Sequence, residues 1–512
     1  MAQGALSKND MVDILFSDAP APLKKRKTAP SLKRDAVWTA ADTLVSAGFA
    51  FLFRLIVARF IAPTEFGVFA LALSTFAVVQ VFNEFGMVAT IIQRSEDRFT
   101  RELVDTAYAA STIVSALLFA INLLVIAPLS AWIYGSERVG LATAVIGVSF
   151  LFTPAISVSR ALLFRARNYR AATIARIGST LLSLFAATAV LIMYQNVWAL
   201  VIQIILSQIF LAIAMLRVGE WHPRFRVSIQ AFREMIGYSG LVFTNDVFNA
   251  LAKNLDVIVL GRLLSQNQVG LYSLAFYVTD VVRLNLASVL NRVMFTQYSV
   301  LQNDFDAVRF YVVRTMSWNA LVMLPIMIAL ILAGPIILPE LLGEAWAAMG
   351  PTLQFLALSV MLGAIGGTTS TVFKALGRPG VELAIAVGTA TIILAPALII
   401  GVSMFGIVGA AAAVALKVLL SVIVRQVMLD RMIGSTLSPV LQATAGSLLA
   451  QIPIVLVWLL VMQVLPLALP LRAGVAIVLG FAVYGGGLLL MRKIESRAWP
   501  AFSRHPHKQV QP

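Results

Sequence analysis

The sequence predicts an all-α integral membrane protein with about 14 transmembrane helices, and two observations support this fold class. First, 60% of the 512 residues are hydrophobic and only 12% are charged, whereas about 25% of the residues in soluble globular proteins are charged. Second, apolar segments long enough to cross a bilayer follow one another through most of the chain. This pattern excludes an ordinary soluble enzyme and a disordered protein. Cysteine is absent, so thiol chemistry and disulfides are excluded as well.

Fourteen candidate spans leave only short connecting segments. Each contains about 20 or more mostly apolar residues, and they cover residues 36–59, 66–93, 105–134, 139–164, 172–194, 196–217, 235–262, 268–299, 311–333, 350–373, 381–402, 406–428, 439–462 and 470–491. Residues 1–35 form a basic N-terminal tail without the apolar core of a cleavable signal peptide. Residues 492–512 form a second basic tail.

The positive charges predict the orientation of these helices. Of the 39 Lys and Arg residues, 30 fall in the tails and in the loops after even-numbered spans. Four fall on the opposite side, and five lie within spans. Because positively charged loops remain in the cytoplasm, we expect both termini to be cytoplasmic. The net charge of +15 then indicates orientation and contact with anionic lipids, and nucleic acid is not an expected partner.

Two segments 203 residues apart indicate an internal repeat. Residues 55–72 match residues 258–275, with Arg59 aligned to Arg262 and Gly67 aligned to Gly270. A weaker match, at an offset of 209, pairs residues 164–167 with 373–376. The sequence therefore predicts an N-lobe at 36–217, a C-lobe at 235–428 and two further helices at 439–491. Six helices per copy give parallel repeats, related by a pseudo-twofold axis along the membrane normal.

The same segments carry a family resemblance. The run Arg54-Leu-Ile-Val-Ala-Arg59 and the turn Ala62-Pro-Thr-Glu-Phe-Gly67 resemble the opening of Wzx-type flippases, which belong to the multidrug/oligosaccharidyl-lipid/polysaccharide (MOP) exporter superfamily. The runs Phe85-Gly86, Thr90-Ile-Ile-Gln93, Asp256-Val-Ile-Val-Leu-Gly261 and Val269-Gly-Leu-Tyr272 also fit this family. The resemblance covers about residues 36–430, and the order of the motifs over two lobes is its specific part.

The resemblance implies a function. It implies export of an undecaprenyl-diphosphate-linked oligosaccharide unit from the cytoplasmic to the periplasmic leaflet of the bacterial inner membrane, by alternating access. It also implies a two-lobed bundle with a polar central cavity, and a role in exopolysaccharide or lipopolysaccharide biosynthesis. Polysaccharide polymerase machinery is a further partner that this role would bring, and no cofactor is expected.

Ionisable residues within the spans are the candidate site, because charges in hydrocarbon usually face a cavity or one another. A diphosphate needs cations, and the candidates for it are Arg283, Arg292, Lys253 and Arg54. Sugars need polar donors and acceptors, which are offered by Asn245, Asn249, Asn285 and Asn291. A coupling proton or Na⁺ needs carboxylates, for which the candidates are Asp42, Asp246, Asp256 and Asp280.

Structural roles remain open for several of these residues. Lys253–Asp256 and Asp280–Arg283 are i,i+3 pairs that can neutralise each other without a ligand. Arg54 lies near a membrane face, where its side chain can extend to the interface.

Three other functions stay open as alternatives. A multidrug antiporter and a peptidoglycan-precursor flippase belong to the same superfamily. A membrane-embedded polymerase or acyltransferase is disfavoured, because His222, His505 and His507 all fall in predicted cytoplasmic segments. The sequence also lacks a GxxxxGK[ST] phosphate loop, so we expect a transporter rather than an enzyme.

Overall fold

The computed structural model describes residues 32–83, 91, 99–219, 221, 223–228 and 240–498. Within these ranges the regular structure is helical and contains no strand, which confirms the predicted fold class. Most of both predicted tails lies outside the described residues.

The described residues form helices joined by short turns. In chain order they are α1 Leu32–Phe60, α2 Pro63–Gln80, α3 Arg101–Tyr134, α4 Glu137–Arg165, α5 Tyr169–Tyr194, α6 Trp198–Gly219, α7 Gly240–Leu263, α8 Gln266–Val300, α9 Phe305–Leu342, α10 Glu344–Gly366 with its continuation Thr369–Ala375, α11 and α12 within Pro379–Ile433, α13 Leu437–Val464 and α14 Leu469–Ala498.

Every predicted span overlaps one of these helices. Ten helical stretches among the described residues are long and apolar enough to cross a membrane, so the chain is a multi-pass membrane protein. The helices outside these ten stretches are α1, α7 and α8, which carry most of the charged positions that the sequence places inside the membrane. The count of fourteen spans stays a prediction.

The stretch Pro379–Ile433 contains two helices rather than one. Its 55 residues would extend about 80 Å as a single helix, far more than the roughly 30 Å hydrocarbon core. Gly406 interrupts it with φ 57° and ψ −134°, a conformation in the left-handed region that favours glycine. The backbones of Gly401 and Gly409 then approach so closely that a Cβ on Gly409 would lie 2.9 Å from the Gly401 Cα. The turn at Gly406 therefore separates α11 from α12, as the predicted spans 381–402 and 406–428 require.

Prolines explain most irregular turns inside the helices. Pro128 follows a π-helical turn at Asn122–Ile126, and Pro396 follows another at Thr389–Leu394. Pro154 follows the 3₁₀ turn Val148–Phe152. Proline has no N–H and its ring displaces the preceding turn, so the backbone there adopts another hydrogen-bonding pattern. The helical hydrogen-bonding pattern is thus irregular just before each of these prolines.

The chain divides into two compact units, Met1–Gly270 and Leu271–Pro512. In the first unit α5 packs against α6 and α1, and α2 packs against α4 and α7. In the second unit α10 packs against α9 and α12, and α13 packs against α14. The predicted lobe limits, 36–217 and 235–428, remain a prediction.

Two turns, one in each unit, have the same backbone hydrogen bonding. After α4, the amides of Ala166, Arg167 and Asn168 donate to Leu162, Phe164 and Leu163, and after α10 the amides of Leu376, Gly377 and Arg378 donate to Val372, Lys374 and Phe373. The left-handed positions are Arg167 at φ 57° and Gly377 at φ 72°. Equivalent hydrogen bonds therefore pair these turns at an offset of 210 residues, one more than the match in the sequence.

Candidate functional site

The two aligned glycines of the repeat meet at the first turns of α2 and α8. A Cβ on Gly67 would overlap the carbonyl oxygen of Gln266, and a Cβ on Gly270 would overlap the carbonyl oxygen of Pro63. The same two Cβ positions lie 3.1 Å and 3.0 Å from the amide nitrogens of Gly270 and Gly67. Only glycine allows the two backbones to come this close, as in the small-residue crossings of membrane helices.

This glycine crossing, Pro63–Gly67 against Gln266–Gly270, is reciprocal. Gly67 aligns with Gly270 and Pro63 aligns with Gln266, each at an offset of 203, and each glycine faces the carbonyl four residues before the other. An exchange of equivalent contacts is the local signature of a twofold axis. The crossing also fixes the register of the sequence match, because Leu71 and Ala72 are buried as fully as the aligned Leu274 and Ala275.

A carboxylate clamp lies in the first turn of α2, beside the glycine crossing. Both oxygens of Glu65 accept hydrogen bonds from Arg138 at the start of α4, at 2.6 Å and 2.7 Å. Glu65 Oε2 also accepts the amide N–H of Val197, just before α6, at 2.9 Å. The clamp of Glu65, Arg138 and Val197 therefore joins the starts of three helices. Glu65 and Arg138 are 73 positions apart, and the sequence offers no signal for their pairing.

Arg54 lies half-buried on α1. Its guanidinium carbon is 5.5 Å from the centroid of the Phe69 ring, a cation–π contact with a buried residue of α2. This contact places the guanidinium of Arg54 against a ring of the first unit. Arg54 therefore has a role in packing α1 on α2. Cargo contact by Arg54 stays a proposal.

Asp280 and Arg283 on α8 form the ion pair that their spacing allows. Asp280 Oδ1 accepts hydrogen bonds from the Nε and Nη2 groups of Arg283. The Asp280 side chain is 12% exposed and that of Arg283 is 44% exposed. The carboxylate is thus enclosed, while nearly half of the Arg283 side chain is exposed.

The other described candidates are buried or half-buried. Asp256 on α7 is 4% exposed, and its Oδ1 accepts the amide N–H of Val257 at 2.9 Å. Asn291 on α8 is half-buried, and its side-chain oxygen has no hydrogen-bond partner among the described residues.

The remaining candidates have side chains outside the described part of the structure. They are Asp42, Asn245, Asp246, Asn249, Lys253, Asn285 and Arg292. Their helices α1, α7 and α8 are present, and their assigned roles stay predictions. Among the described residues, no group of three His, Cys, Asp or Glu side chains is arranged to hold a metal ion.

Comparison with known proteins identifies the family. The model of the family described as polysaccharide biosynthesis protein matches residues 56–351. The chain is 25% identical over 301 residues to the teichuronic acid biosynthesis protein TuaB of Bacillus subtilis, which covers 58% of this chain and 62% of that protein. It is 23% identical over 384 residues to the lipopolysaccharide biosynthesis protein WzxC of Escherichia coli, covering 73% and 76%.

Solved structures identify the fold. The lipid II flippase MurJ, in an inward closed conformation, superposes with a TM-score of 0.69 at 14% identity, over 90% of this chain and 99% of that one. An inward-facing multidrug transporter of the MATE family superposes with a TM-score of 0.54 at 16% identity, over 83% and 98%. This multi-pass chain therefore belongs to the polysaccharide biosynthesis protein family and has the fold of the MOP exporter superfamily.

Proposed function

We propose that this protein moves a lipid-linked oligosaccharide unit, carried on undecaprenyl diphosphate, from the cytoplasmic to the periplasmic leaflet by alternating access. Family membership supports the pathway, because the matched relatives are named for teichuronic acid and lipopolysaccharide biosynthesis. The MurJ-like fold supports a transport mechanism. The product serves exopolysaccharide or lipopolysaccharide synthesis, and polysaccharide polymerase machinery is the partner that would use it.

The glycine crossing is the observation that carries the alternating-access mechanism. The distribution of Lys and Arg assigns the start of α2 to the periplasmic side. At this side the backbones of Gly67 and Gly270 are in direct contact, so this end of α2 and α8 is closed. Release of cargo to the periplasm requires the two first turns to separate. A crossing of small residues permits this separation, because no interlocked side chains hold the two glycines together.

The ionisable residues of α1, α7 and α8 receive the following roles in this proposal. Arg283, Arg292, Lys253 and Arg54 bind the diphosphate; Asn245, Asn249, Asn285 and Asn291 bind sugar; Asp42, Asp246, Asp256 and Asp280 bind the coupling ion. Arg283 is the best supported, since Asp280 uses only its Nε and Nη2 groups. A guanidinium can hold phosphate oxygens through its remaining N–H groups.

The location follows from the same charge distribution. We place the protein in the bacterial inner membrane with both termini in the cytoplasm, since 30 of the 39 cations are assigned to that face. A multidrug antiporter is disfavoured by the family match and by the lower TM-score to the multidrug transporter. A peptidoglycan-precursor flippase is disfavoured because the matching family is described by polysaccharide biosynthesis.

Deletion of the gene tests the proposed function. We expect the lipid-linked unit to be made and to remain in the inner leaflet, so that exported polysaccharide disappears. Leaflet location is measured by the access of a membrane-impermeant periplasmic glycosidase to the labelled unit. Normal access combined with unpolymerised units would instead indicate a polymerase and would overturn the proposal.

The Arg283→Gln variant tests the site. We expect export to fall by about tenfold or more, since a hydrogen bond to a charged group contributes about 1.5–3 kcal/mol. The matched control is Arg309→Gln, because Arg309 pairs with Asp306 at the same i,i+3 spacing on α9. The double variant Asp280→Asn/Arg283→Gln removes both charges of the pair. Restored export in the double variant would show that Arg283 only neutralises Asp280.

A further inference from the structure

Three prolines, Pro325, Pro335 and Pro339, lie inside α9. Proline has no N–H, so each one leaves the carbonyl four residues before it without the helical donor it would otherwise have. Inside a membrane no bulk water can bind such a carbonyl, and neighbouring helices often supply the missing donor. The partners of these carbonyls therefore show which parts of the protein support α9.

The helix that corresponds to α9 in the predicted first lobe, α3, accommodates its proline within its own backbone. A π-helical turn at Asn122–Ile126 lies just before Pro128, so the hydrogen bonding of α3 itself changes there. In contrast, α9 is α-helical over its whole length, Phe305–Leu342. The donors that its prolines remove must therefore be replaced from outside the helix.

Tyr484 on α14 supplies the donor that Pro325 removes. Its hydroxyl donates to the carbonyl oxygen of Leu321, four residues before Pro325, at 2.8 Å. Tyr484 is only 8% exposed, so its hydroxyl is largely shielded from other partners. A buried carbonyl that loses such a donor destabilises the protein, because nothing else replaces the hydrogen bond.

Gln451 on α13 contacts the same hydroxyl. Its Nε2 group donates to the Tyr484 oxygen at 3.4 Å and to the Ser447 carbonyl at 2.9 Å. Gln451 is 2% exposed and lies at the break between the two helical segments of α13, Leu437–Leu449 and Ile452–Val464. A chain of hydrogen bonds therefore runs from α13 through α14 to the backbone of α9.

An apolar cluster also packs these three helices together. Ala333 of α9 is buried with Trp458 and Val461 of α13 and with Ala473 and Ala476 of α14. Apolar contacts of this kind are not directional. The hydrogen-bond chain adds a directional contact at one position of α9.

Gln354 on α10 makes the corresponding contact at the next proline. Its Nε2 group donates to the carbonyl of Ile331, four residues before Pro335, at 2.9 Å. The helix α10 belongs to the predicted C-lobe, whereas α13 and α14 lie outside both predicted lobes. The two contacts have the same chemistry at different prolines, so each can serve as the control for the other.

We propose that Tyr484 is a positioning residue for α9, and that α13 and α14 serve to support α9 at Pro325. The Tyr484 hydroxyl replaces the hydrogen bond that the proline removes, and Gln451 holds this hydroxyl in place. The two helices outside the predicted lobes are thereby part of the frame that keeps α9 regular inside the membrane. This role does not depend on the proposed cargo or on the charged residues of α1, α7 and α8.

A double-mutant cycle between Tyr484 and Pro325 tests this proposal. The purified full-length protein is unfolded with denaturant in micelles, and the equilibrium constant for unfolding is compared among the variants. We expect Tyr484→Phe to raise this constant by about tenfold, because phenylalanine keeps the ring and loses the donor. Pro325→Ala restores an N–H that can donate to the Leu321 carbonyl. In that background we expect Tyr484→Phe to change the constant by about twofold or less.

The control is Gln354→Leu, which removes the donor at Pro335. Its effect should be the same with and without Pro325→Ala, and it should shrink in the Pro335→Ala background. A tenfold effect of Tyr484→Phe in both backgrounds would overturn the proposal, because Tyr484 would then not act through the carbonyl that Pro325 leaves free. Unchanged unfolding in Tyr484→Phe alone would overturn it as well. If Pro325→Ala does not fold, Pro325→Leu restores the same N–H and takes its place.

Discussion

The two ends of α4 differ in the contacts that their charged side chains make. At its start, Arg138 pairs with Glu65 through two hydrogen bonds, and the neighbouring glycine crossing brings two backbones into contact. At its other end, the guanidinium of Arg160 lies over the Phe164 ring, and Arg165 donates to the carbonyl of Ile91. The first end is closed by matched charge and close packing. At the second end the arginines contact an aromatic ring and a backbone carbonyl instead of a carboxylate.

Valine at Gly67 is the substitution from which we expect the largest effect on the closed end. The added side chain would overlap the Gln266 carbonyl, so α2 and α8 must separate at their first turns, and we expect loss of export. Because the chain contains no cysteine, Ala72→Cys provides a single reporter at a fully buried position. We expect faster labelling by an impermeant maleimide in Gly67→Val, and equally in Gly270→Val.

The control for this prediction is Gly178→Ala, where an added Cβ has nothing within 4 Å. Its labelling and its export should match those of the unchanged protein. Unchanged labelling in both valine variants would show that the glycine crossing does not close this end.

Removal of the carboxylate clamp should weaken the closed end by a smaller amount. Glu65→Ala leaves Arg138 without its bidentate partner and the Val197 amide without its acceptor. We expect a loss of about 1–3 kcal/mol in the free energy of unfolding, measured by denaturant titration in micelles. Arg138→Ala should cost less, because the Arg138 side chain is 51% exposed and the Val197 bond survives. An Arg138 variant less stable than the Glu65 variant would contradict this account of the clamp.

The smallest effect is expected from Arg167→Gly, in the turn that follows the arginine-rich end of α4. Arg167 has φ 57°, where the matching turn of the second unit has Gly377. Glycine removes the strain of a left-handed side chain, about 1 kcal/mol, but raises the entropy of the unfolded chain. Arg167→Gly should therefore raise the free energy of unfolding, measured by denaturant titration in micelles, by about 0.5 kcal/mol at most. Clear destabilisation would show that the Arg167 side chain makes contacts that matter for folding.

The sequence predicted the helices well, because membrane spans depend on local apolar composition. It also aligned Gly67 with Gly270, since the repeat preserves their spacing. It did not predict that these two residues touch each other. Periodicity places a residue on its own helix and carries no information about the helix opposite.

The sequence gives each charged residue only its own position along the chain. Two features that depend on helix packing were therefore not predicted. Glu65 and Arg138 were not identified as a pair, because helix packing brings them together from 73 positions apart. Arg165 was counted among loop cations, whereas it lies in the last turn of α4 and donates to the carbonyl of Ile91. The sequence match also aligned the α4–α5 and α10–α11 turns at an offset one residue shorter than the one their hydrogen bonds give. Residue similarity there does not reveal which position adopts the left-handed conformation.

The reciprocity of the glycine crossing has an evolutionary consequence. A contact in which each half presents the same two aligned positions to the other is the contact that two copies of one shorter chain would make across a dimer axis. After duplication and fusion, most positions of the two halves are free to diverge, as the low similarity outside the matched segments illustrates. Gly67 and Gly270 are not free to diverge, because a side chain at either position would overlap the backbone of the other half. The crossing thus has, inside one polypeptide, the pattern of contacts that the axis of a homodimer would have.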